Sequence, residues 1–511
     1  MPRFLRSPLT PTDCRALIEG SLRAREQNFL RLVRRAIYEA PESPYRKLLR
    51  WAGVQYGDLE RTVVADGIES TLERLLDAGV FITLEEFKGR RPIRRSNLTI
   101  DVTPHSFDNP VLTPEFEVES GGSTGPRRRM KIDLDLLVYD AACRYCYFAA
   151  CGVQEFPHAL WRAVPPDSSG LKQALIAAKL GRPVERWFTP IPVSWSPASV
   201  PFALVTQYAL WTGERLAAPI PRPEHVPLDH PEPVARWLAE KAHQGTPAVL
   251  SAAAGNAVRA VISAQDLGLD LAGTVFRVGG EPLTEAKRRL IEQAGARTFS
   301  AWAMSETGPL GGACGNPEAI DEVHVFRGKV AVLQRPKILN DGQTCVPALY
   351  LTTLLTATPK IMLNVDTGDY GVFGRRRCGC LLEEIGFPDH LHTIRNYEKL
   401  TAGGIQFLGS DLIALVETVL PERHGGHPTD YQIVEEQEGA LTKVKIRIHP
   451  RVELRDEEQV CQTVLRFLAG RDAGGRLMSA FWQQGGTLQV ERKEPYVTPA
   501  HKTPPLVVMN K

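Results

Sequence analysis

The chain has 511 residues, of which 43% are hydrophobic and 23% are charged, a composition typical of a globular protein long enough for two or three domains. Its 61 basic and 59 acidic side chains leave a formal net charge of +2, so no charge excess favours wrapping nucleic acid or lying on an anionic membrane. The first residues lack the apolar segment of a secretory signal, and nine cysteines, an odd number, favour reduced thiols over a disulfide framework. We therefore expect a cytoplasmic protein with small-molecule partners, with no nucleic acid and no membrane among them.

The first part of the chain is predicted to be mainly helical. Apolar residues recur at helical spacing within residues 11–50, and the pattern continues at 71–80. Residues 101–119 are rich in Pro, Thr and Asp, which indicates a loop. The stretch 188–213 carries no charge, but its prolines argue against a membrane-spanning helix. We interpret it as buried strands and loops.

From about residue 170, short apolar runs alternate with helix-like segments, which predicts a mixed α/β body. The pattern predicts a helix at 248–264, a strand at 274–280, a helix at 284–296 that ends at a glycine, and a strand at 297–304. Glycine-rich turns follow several of these strands. Such turns are the places where α/β folds bind ligands.

The last part of the chain, from about residue 396 to 511, has the pattern of a small α+β unit. Helices are predicted at 409–420 and 456–470, and strands at 430–436, 442–450 and 487–495. No internal repeat and no long low-complexity tract interrupts the chain.

Residues 119–129, with the sequence ESGGSTGPRRR, could serve two different chemistries. Within them, 121–125 matches the G-x-S-x-G pattern of a hydrolase, with Ser123 as the nucleophile. The same residues could form a loop whose backbone N–H groups and hydroxyls hold phosphate. A nucleophile elbow needs a helix directly after the serine, whereas the alternating patterns at 115–119 and 129–133 predict strands on both sides. The pattern favours a hairpin loop, which is either a phosphate site or an ordinary turn.

Further motifs follow the loop in a fixed order. They are GGEPL at 279–283, WAMSE at 302–306, DTGD at 366–369 and PYVTPAHK at 495–502, with SPYRKLL at 43–49 near the start. Together with the loop at 120–127, they resemble the motifs of the acyl-adenylate-forming superfamily. The branch that they resemble most contains phenylacetate-CoA ligases, acyl-protein synthetases and deazaflavin-cofactor adenylylating synthetases. The resemblance implies a large adenylation domain of mixed α/β fold at 1–394 and a small mobile α+β domain at 395–511.

The resemblance also implies which residues bind ATP. They are Ser120, Gly121, Gly122, Ser123, Thr124, Gly125, Arg127, Gly280, Glu281, Trp302, Ser305, Asp369 and Arg395. The loop at 120–127 would hold the phosphates, and Trp302 would lie beside the adenine. Asp369 would accept hydrogen bonds from the ribose hydroxyls, and Glu306 would bind Mg²⁺ through a carboxylate oxygen.

Lys502 is the catalytic residue that the resemblance implies. It would bridge the substrate carboxylate and the α-phosphate, a task that suits the compact charge of a lysine on a flexible stem. Arg395 occupies the position of the hinge, about which the small domain would rotate between the two steps of the reaction.

Three cysteines and a histidine could form a metal site. Cys378 and Cys380 follow the DTGD motif, while Cys314 and His324 precede it. This set of ligands would satisfy a tetrahedral structural zinc, although the C-x-C spacing is tighter than usual. The cysteines of 143–151 are interpreted as packing thiols.

The sequence therefore predicts an ATP- and Mg²⁺-dependent ligase. It would convert a carboxylic acid, implied by the resemblance to be aryl or arylacetic, into its acyl-AMP with release of pyrophosphate, and pass the acyl group to CoA or a carrier thiol. Two alternatives stay open: a different acceptor, such as a protein thiol, an amine or a hydroxyl that takes AMP, and a non-catalytic nucleotide-binding protein. A homodimer also stays open.

Overall fold

The computed structural model describes most of the chain. The described residues are 1–112, 116–119, 129–165, 169–193, 200–339, 345–397, 401–402, 405–406, 409–438, 441–470, 479, 482–483, 488–498 and 501–509. The helices are α1 Pro2–Arg6, α2 Pro11–Arg23, α3 Arg25–Val33, α4 Pro44–Trp51, α5 Tyr56–Asp77, α6 Leu84–Phe87, α7 Leu134–Ala150, α8 Ser169–Lys179, α9 Val200–Arg215, α10 Glu232–His243, α11 Ala254–Asp266, α12 Glu285–Gln293, α13 Leu381–Glu384, α14 Gly409–Ala414, α15 Leu420–His424 and α16 Glu457–Ala469. Two π-helical turns, Arg34–Tyr38 and Leu415–Val419, extend the helices before them.

The strands occur in every part of the chain after the first helices. They are β1 Ile93–Arg95, β2 Leu98–Ile100, β3 Phe116–Glu119, β4 Arg129–Ile132, β5 His158–Trp161, β6 Arg186–Thr189, β7 Pro223–His225, β8 Val249–Ala252, β9 Val275–Val278, β10 Arg297–Met304, β11 Gly308–Ala313, β12 Val323–Val325, β13 Val330–Ile338, β14 Cys345–Thr353, β15 Val365–Arg375, β16 Asp389–Asn396, β17 Thr401–Ala402, β18 Ile405–Gln406, β19 Tyr431–Glu438, β20 Leu441–Ile448, β21 Leu488–Arg492 and β22 Leu506–Met509.

The predicted N-terminal helices are confirmed. Thr10 begins α2 with a capping box: its hydroxyl accepts from Asp13 N–H at 3.1 Å, while Asp13 Oδ2 accepts from Thr10 N–H at 2.9 Å. Apolar side chains of α3, α4 and α5 pack on β13–β15 and form one of the larger cores. These helices therefore cover one end of the main sheet.

The main sheet has twelve strands in the order β13-β14-β15-β16-β12-β11-β10-β9-β8-β5-β6-β7. The strands from β10 to β7 run parallel to one another, and those from β10 to β13 pair antiparallel. Helices α7 and α8 lie on one face of the parallel part, while α10, α11 and α12 lie on the other. The parallel strands thus end at a common edge, where α/β folds place ligands.

The prediction of one helix at 248–264 is wrong in its first part. Residues Val249–Ala252 form β8, which lies between β5 and β9, and the helix begins only at Ala254. A short run of almost entirely apolar residues has no period that separates a buried strand from a buried helix. The neighbouring strands decide the outcome.

The prediction of strands and loops across 188–213 is also wrong in part. Only its beginning belongs to a strand, β6, and Val200–Arg215 forms α9, with Pro201 in its first turn where proline is tolerated. Leu204, Tyr208 and Trp211 are exposed along this helix. Because the segment lacks charges and exposes part of its apolar surface, its amphipathic pattern is weak.

The C-terminal residues form a separate sheet in the order β21-β20-β19-β22. The predicted strands and helices of this part are confirmed, but 487–495 does not hold the last strand, because Leu506–Met509 adds β22 parallel to β19. Apolar residues of α16, of the turn Leu415–Val419 and of the sheet form its core. Among the described residues, no helix is both long and apolar enough to cross a membrane.

Candidate active site at the carboxyl ends of the parallel strands

The candidate site surrounds the turn Gly279–Leu283, which follows β9. Gly280 has a φ of 88°, a conformation that side chains other than glycine rarely adopt. A Cβ at Gly280 would lie 3.3 Å from Cε and 3.6 Å from Nζ of Lys502. The structure therefore brings Lys502, the predicted catalytic residue, onto the turn that holds the predicted ATP-binding residues Gly280 and Glu281, although Lys502 lies 222 positions after Gly280 in the chain.

The loop that carries Lys502 is held from within and from outside. Within the loop, Thr498 Oγ1 accepts from Lys502 N–H at 3.1 Å, and Thr498 N–H donates to the Lys502 carbonyl at 2.8 Å. From outside, Glu281 Oε1 accepts from Thr503 N–H at 2.8 Å, and Glu281 Oε2 accepts from Gly255 N–H at 2.7 Å. The first turn of α11 has no side-chain cap of its own, so Glu281 both satisfies this helix end and binds the lysine loop.

Arg162 is a second cation at this edge. It follows β5, and its Nη2 donates to the carbonyl of Ala252, at the end of β8, and to the carbonyl of Gly279 at 2.9 Å. Its Nη1 would lie 3.6 Å from a Cβ at Gly280. Sequence reasoning missed Arg162 because it belongs to no motif, and only the pairing of β5, β8 and β9 places it here.

A buried ion pair near the same turn joins the small C-terminal part of the protein, which runs from α14 to β22, to the large part before it. Lys287 Nζ donates to Glu417 Oε1 at 2.8 Å, and Thr284 Oγ1 donates to Glu417 Oε2 at 2.5 Å. The side chains of Lys287 and Glu417 are only 5% and 4% exposed. This pair was also missed, because the helical periodicity of 284–296 gives no sign that a second unit covers its polar face.

The predicted magnesium and adenine residues lie on the next strand. Trp302 in β10 is buried against the core formed by the N-terminal helices. Ser305 and Glu306 are half-buried in the turn between β10 and β11. The structure thus places these residues in the hairpin that β10, the last of the parallel strands, forms with β11.

Asp369 and Arg395 lie on the neighbouring strands β15 and β16. Asp369 Oδ1 accepts from Asn396 Nδ2 at 2.9 Å. Arg395 Nη1 donates to Asp321 Oδ2 at 3.0 Å, so Asp321 orients the guanidinium of the predicted hinge residue. Because β16 continues to Asn396, residue 395 belongs to the main sheet in this structure.

The predicted phosphate-binding residues 120–127 lie outside the described residues. Their flanks are described: β3 and β4 pair antiparallel, with Glu119 opposite Arg129, as the alternating patterns predict. Helix α7 begins only after β4, where Asp133 accepts from Asp135 N–H at 2.7 Å. These flanks do not fit a nucleophile elbow, in which a helix follows the serine directly, and they argue against Ser123 as a hydrolase nucleophile.

The four predicted zinc ligands come together away from this edge. The sulfur atoms of Cys314, Cys378 and Cys380 and a ring nitrogen of His324 lie within 4.8 Å of one another. The Nε2 atom of His324 is 3.2 Å from Cys380 Sγ and 3.5 Å from Cys378 Sγ. Ligand atoms in a tetrahedral zinc site lie about 3 to 4 Å apart, so the arrangement fits this metal.

The surroundings of the cluster support this interpretation. His324 is fully buried, and its Nδ1 lies 2.5 Å from the Phe387 carbonyl, which directs Nε2 toward the sulfur atoms. A hydrogen bond with Cys314 is the largest cause of a strongly lowered pKa at Cys380, and it outweighs the opposing effect of burial. Sulfur atoms bind zinc as thiolates.

A cavity of about 410 Å³ lies between the two parts of the protein, next to the lysine loop. Its lining consists of Pro190, Leu228, Asp229 and Arg259 from the large part and His449, Glu494, Pro495, Val497, Thr498 and His501 from the small part. The contact between the parts therefore leaves open space beside Lys502.

No protein-family model and no curated protein sequence matches the chain, but solved structures do. The chain is similar to a 2-hydroxyisobutyryl-CoA ligase in the postadenylation state with bound R3-HIB-AMP, with 14% identity and a TM-score of 0.51 over 99% of this chain and 92% of that chain. The same ligase with bound 2-HIB-AMP matches with 13% identity and a TM-score of 0.54, over 95% of this chain and 89% of that chain. At these identities the likeness shows the fold. The predicted mixed α/β class and the resemblance in fold to acyl-adenylate-forming ligases are confirmed.

Proposed function

We propose that this chain, which has the fold of acyl-adenylate-forming ligases, uses ATP to convert a carboxylic acid into its acyl-AMP. The position of Lys502 over Gly280, with Arg162 beside the same turn, is the observation that carries the proposal. In the first step a carboxylate oxygen attacks the α-phosphorus, the bond to the bridging oxygen breaks, and pyrophosphate leaves.

The residues at this edge suit the electrostatic demand of that step. A carboxylate and a phosphate repel each other, so positive charge that is already in place lowers the barrier most. Lys502 and Arg162 supply two cations on one turn, and the hydrogen bonds of Glu281 hold the lysine loop there. Glu306 would give an oxygen ligand to Mg²⁺, which would neutralise charge on the phosphates.

For the second step we propose transfer of the acyl group to a thiol, with CoA as the acceptor and an aryl or arylacetic acid as the substrate. Rotation of the small domain would have to break the contact of Thr503 with Glu281 and the contacts of Glu417 with Thr284 and Lys287. These contacts are polar, and water can replace their hydrogen bonds. The contact region is therefore suited to reversible docking.

Exchange of labelled pyrophosphate into ATP, measured across a panel of acids, tests the first step. We expect exchange that requires an acid and that falls on the order of 100- to 1,000-fold in Lys502→Ala. Lys493→Ala is the matched control, because Lys493 is an exposed lysine of the same small part of the protein, and it should keep full exchange. ATP binding without exchange for any acid would favour the non-catalytic alternative. Formation of a CoA thioester from the acyl-AMP tests the acceptor.

We further propose that Cys314, His324, Cys378 and Cys380 hold a structural zinc ion. Four protein ligands leave no position for a substrate, and the metal would connect β11 and β12 to the segment between β15 and α13. We expect one equivalent of zinc in the purified protein and loss of that zinc in Cys380→Ser. Cys461→Ser changes a buried cysteine in the core of the C-terminal sheet, and this variant should keep the metal. A wild-type protein without zinc after growth in zinc-supplemented medium would refute this assignment.

A further inference from the structure

Two buried arginines lie inside the large part of the protein with neutral partners. Arg144 on α7 and Arg277 on β9 are 5% and 7% exposed. Both lie between the parallel strands and the helices α7 and α8. A buried cation is costly unless an anion is near, so the charge at this place needs an explanation.

The contacts of Arg144 are all with neutral groups. Its Nη1 donates to the backbone carbonyl of Gln173 at 3.0 Å, and its Nη2 lies 3.0 Å from the ring of His158. The Nε2 atom of His158 lies 2.9 Å from the hydroxyl of Ser251. Burial, and after it the charges of Arg144 and Arg277, hold the pKa of His158 well below its usual range. The histidine is therefore neutral, and it adds no charge of either sign.

Arg277 has the same kind of surroundings. Its Nε lies 3.2 Å from the Tyr147 hydroxyl, and its Nη1 lies 3.3 Å from Oε1 of Gln173. Burial lowers the pKa of Arg144 to about 10, and the charge of Arg277 contributes to this shift. No ion pair joins either guanidinium group to a carboxylate in the part of the chain that the structure describes.

The two arginines lie on the face of the sheet that α7 and α8 cover, and Arg277 lies in β9, the strand that leads to the turn Gly279–Leu283. Arg277 precedes Gly280 by three residues, a distance of about 10 Å along the strand direction. Its side chain lies on the face of β9 that α7 covers, where it contacts the Tyr147 hydroxyl. Phe299, opposite Arg277 in β10, packs edge-on with Tyr147 and Phe148. Aromatic side chains therefore lie against both cations.

We propose that the acid activated by this protein carries a second anionic group, a distal carboxylate, which binds between Arg144 and Arg277. The inference rests on the proposed adenylation and narrows its substrate class. The reacting carboxylate would lie at Lys502, and the spacer, such as an aromatic ring, would lie among Tyr147, Phe148 and Phe299. The second carboxylate supplies the negative charge that the two guanidinium groups lack among the described residues, and planar guanidinium groups bind carboxylates with paired hydrogen bonds.

Pyrophosphate exchange with matched pairs of acids tests the proposal in the wild-type protein. The pairs are benzoate and terephthalate, phenylacetate and 4-carboxyphenylacetate, and hexanoate and adipate. We expect kcat/KM for the preferred diacid to exceed that of its matched monoacid on the order of 100-fold, because a site built for a polar group rejects an analogue that lacks it. Exchange with monoacids that equals or exceeds exchange with every diacid would overturn the inference and leave the proposed adenylation intact. Exchange with no acid would instead overturn the proposed adenylation itself.

A substitution of Arg277 tests whether this residue causes the preference for the diacid. Arg277→Gln keeps hydrogen-bonding capacity without the charge, and it should abolish the preference for the diacid, so that the ratio of kcat/KM for the diacid to kcat/KM for the monoacid falls to about one. Arg25→Gln is the matched control, because Arg25 is a buried arginine that pairs with Glu69 at 2.5 Å. Its ratio of diacid to monoacid activity should equal that of the wild type. An unchanged ratio in Arg277→Gln would refute the assignment of the second carboxylate to this cluster.

Discussion

Two of the buried polar clusters among the described residues differ in charge balance: one pairs a cation with an anion, and the other holds two cations without an anion. At the contact between its two parts, Lys287 meets Glu417 at 2.8 Å, and both charges are matched. Between the parallel strands and the helices α7 and α8, Arg144 and Arg277 have a histidine, a tyrosine, a glutamine side chain and a backbone carbonyl as partners. The Lys287–Glu417 pair is accounted for by the docking of the two parts of the protein. The pair of arginines is accounted for when a ligand supplies the negative charge that balances them.

The two clusters also differ in how a substitution changes the free energy of unfolding. Removing one member of the Lys287–Glu417 pair lowers this free energy strongly, because the other ion stays buried without a counter-charge. A buried cation without a counter-charge already lowers the stability of the ligand-free protein. Its removal should therefore stabilise the fold and weaken only the binding of the ligand. Substitutions in the two clusters should therefore change the free energy of unfolding in opposite directions.

The largest effect is expected at the matched pair. Glu417→Gln leaves the Lys287 ammonium buried without a counter-charge, and it should lower the free energy that holds the two parts together by about 3 to 5 kcal/mol. Urea unfolding would show the loss, and pyrophosphate exchange would fall with it, because Lys502 reaches its turn only in the docked arrangement.

Glu422→Gln provides the control for that experiment, since Glu422 is exposed on the adjacent helix α15. It should leave both measurements unchanged. The double substitution Lys287→Met with Glu417→Leu should recover most of the lost stability. Equal stability of the single and double variants would contradict the role assigned to the pair.

A smaller effect, of opposite sign, is expected at the unmatched cluster. Arg277→Met removes a buried cation and keeps an apolar side chain of similar length, so it should raise the free energy of unfolding of the ligand-free protein by about 1 to 3 kcal/mol. Denaturant titration without substrate measures the change. Arg25→Met removes the closer of the two cationic partners of Glu69, so it should destabilise the protein instead. A loss of stability in Arg277→Met would contradict the proposed difference between the clusters.

The smallest effect concerns pH. His158 has a lowered pKa in the folded protein, so below the unfolded pKa of about 6.5 the unfolded chain binds a proton that the folded chain does not. Stability should therefore fall as the pH drops below that value, by about 1.4 kcal/mol per pH unit from this residue. Unfolding measured from pH 7 to 5 in His158→Gln should show a slope shallower by this amount.

The exposed His230 offers the comparison for the pH experiment. His230→Gln should keep the wild-type slope, since its side chain lies at the surface. Identical slopes in His158→Gln and the wild type would show that the interior cluster contributes nothing to the pH dependence.

Local patterns in the sequence predict much of the fold. The capped helices, the alternating strands beside residues 120–127 and the elements at 456–470 depend on neighbours a few positions away, which a sequence displays directly. The errors at 248–264 and 188–213 fall where apolar residues run without a period. There, the adjoining strands of the sheet and the packing of α9 decide between strand and helix.

The residues of the candidate site also fall into two groups: those that a sequence motif marks, and those that only the fold brings together. Motifs in the sequence mark Gly280, Lys502 and the four cysteine and histidine residues. Arg162, Glu417 and the cluster of Arg144 with Arg277 stand in no motif, and each acquires its partner from a segment far away in the chain.

Local periodicity and spacing predict which short segments form helices and strands, and which motif residues resemble an adenylating site. The packing of distant segments instead places Lys502 on the turn after β9, buries Lys287 against Glu417, and leaves Arg144 and Arg277 without an ion pair among the residues that the structure describes. Burial and charge pairing arise from which distant surfaces come together, and spacing along the chain does not encode them in a readable form.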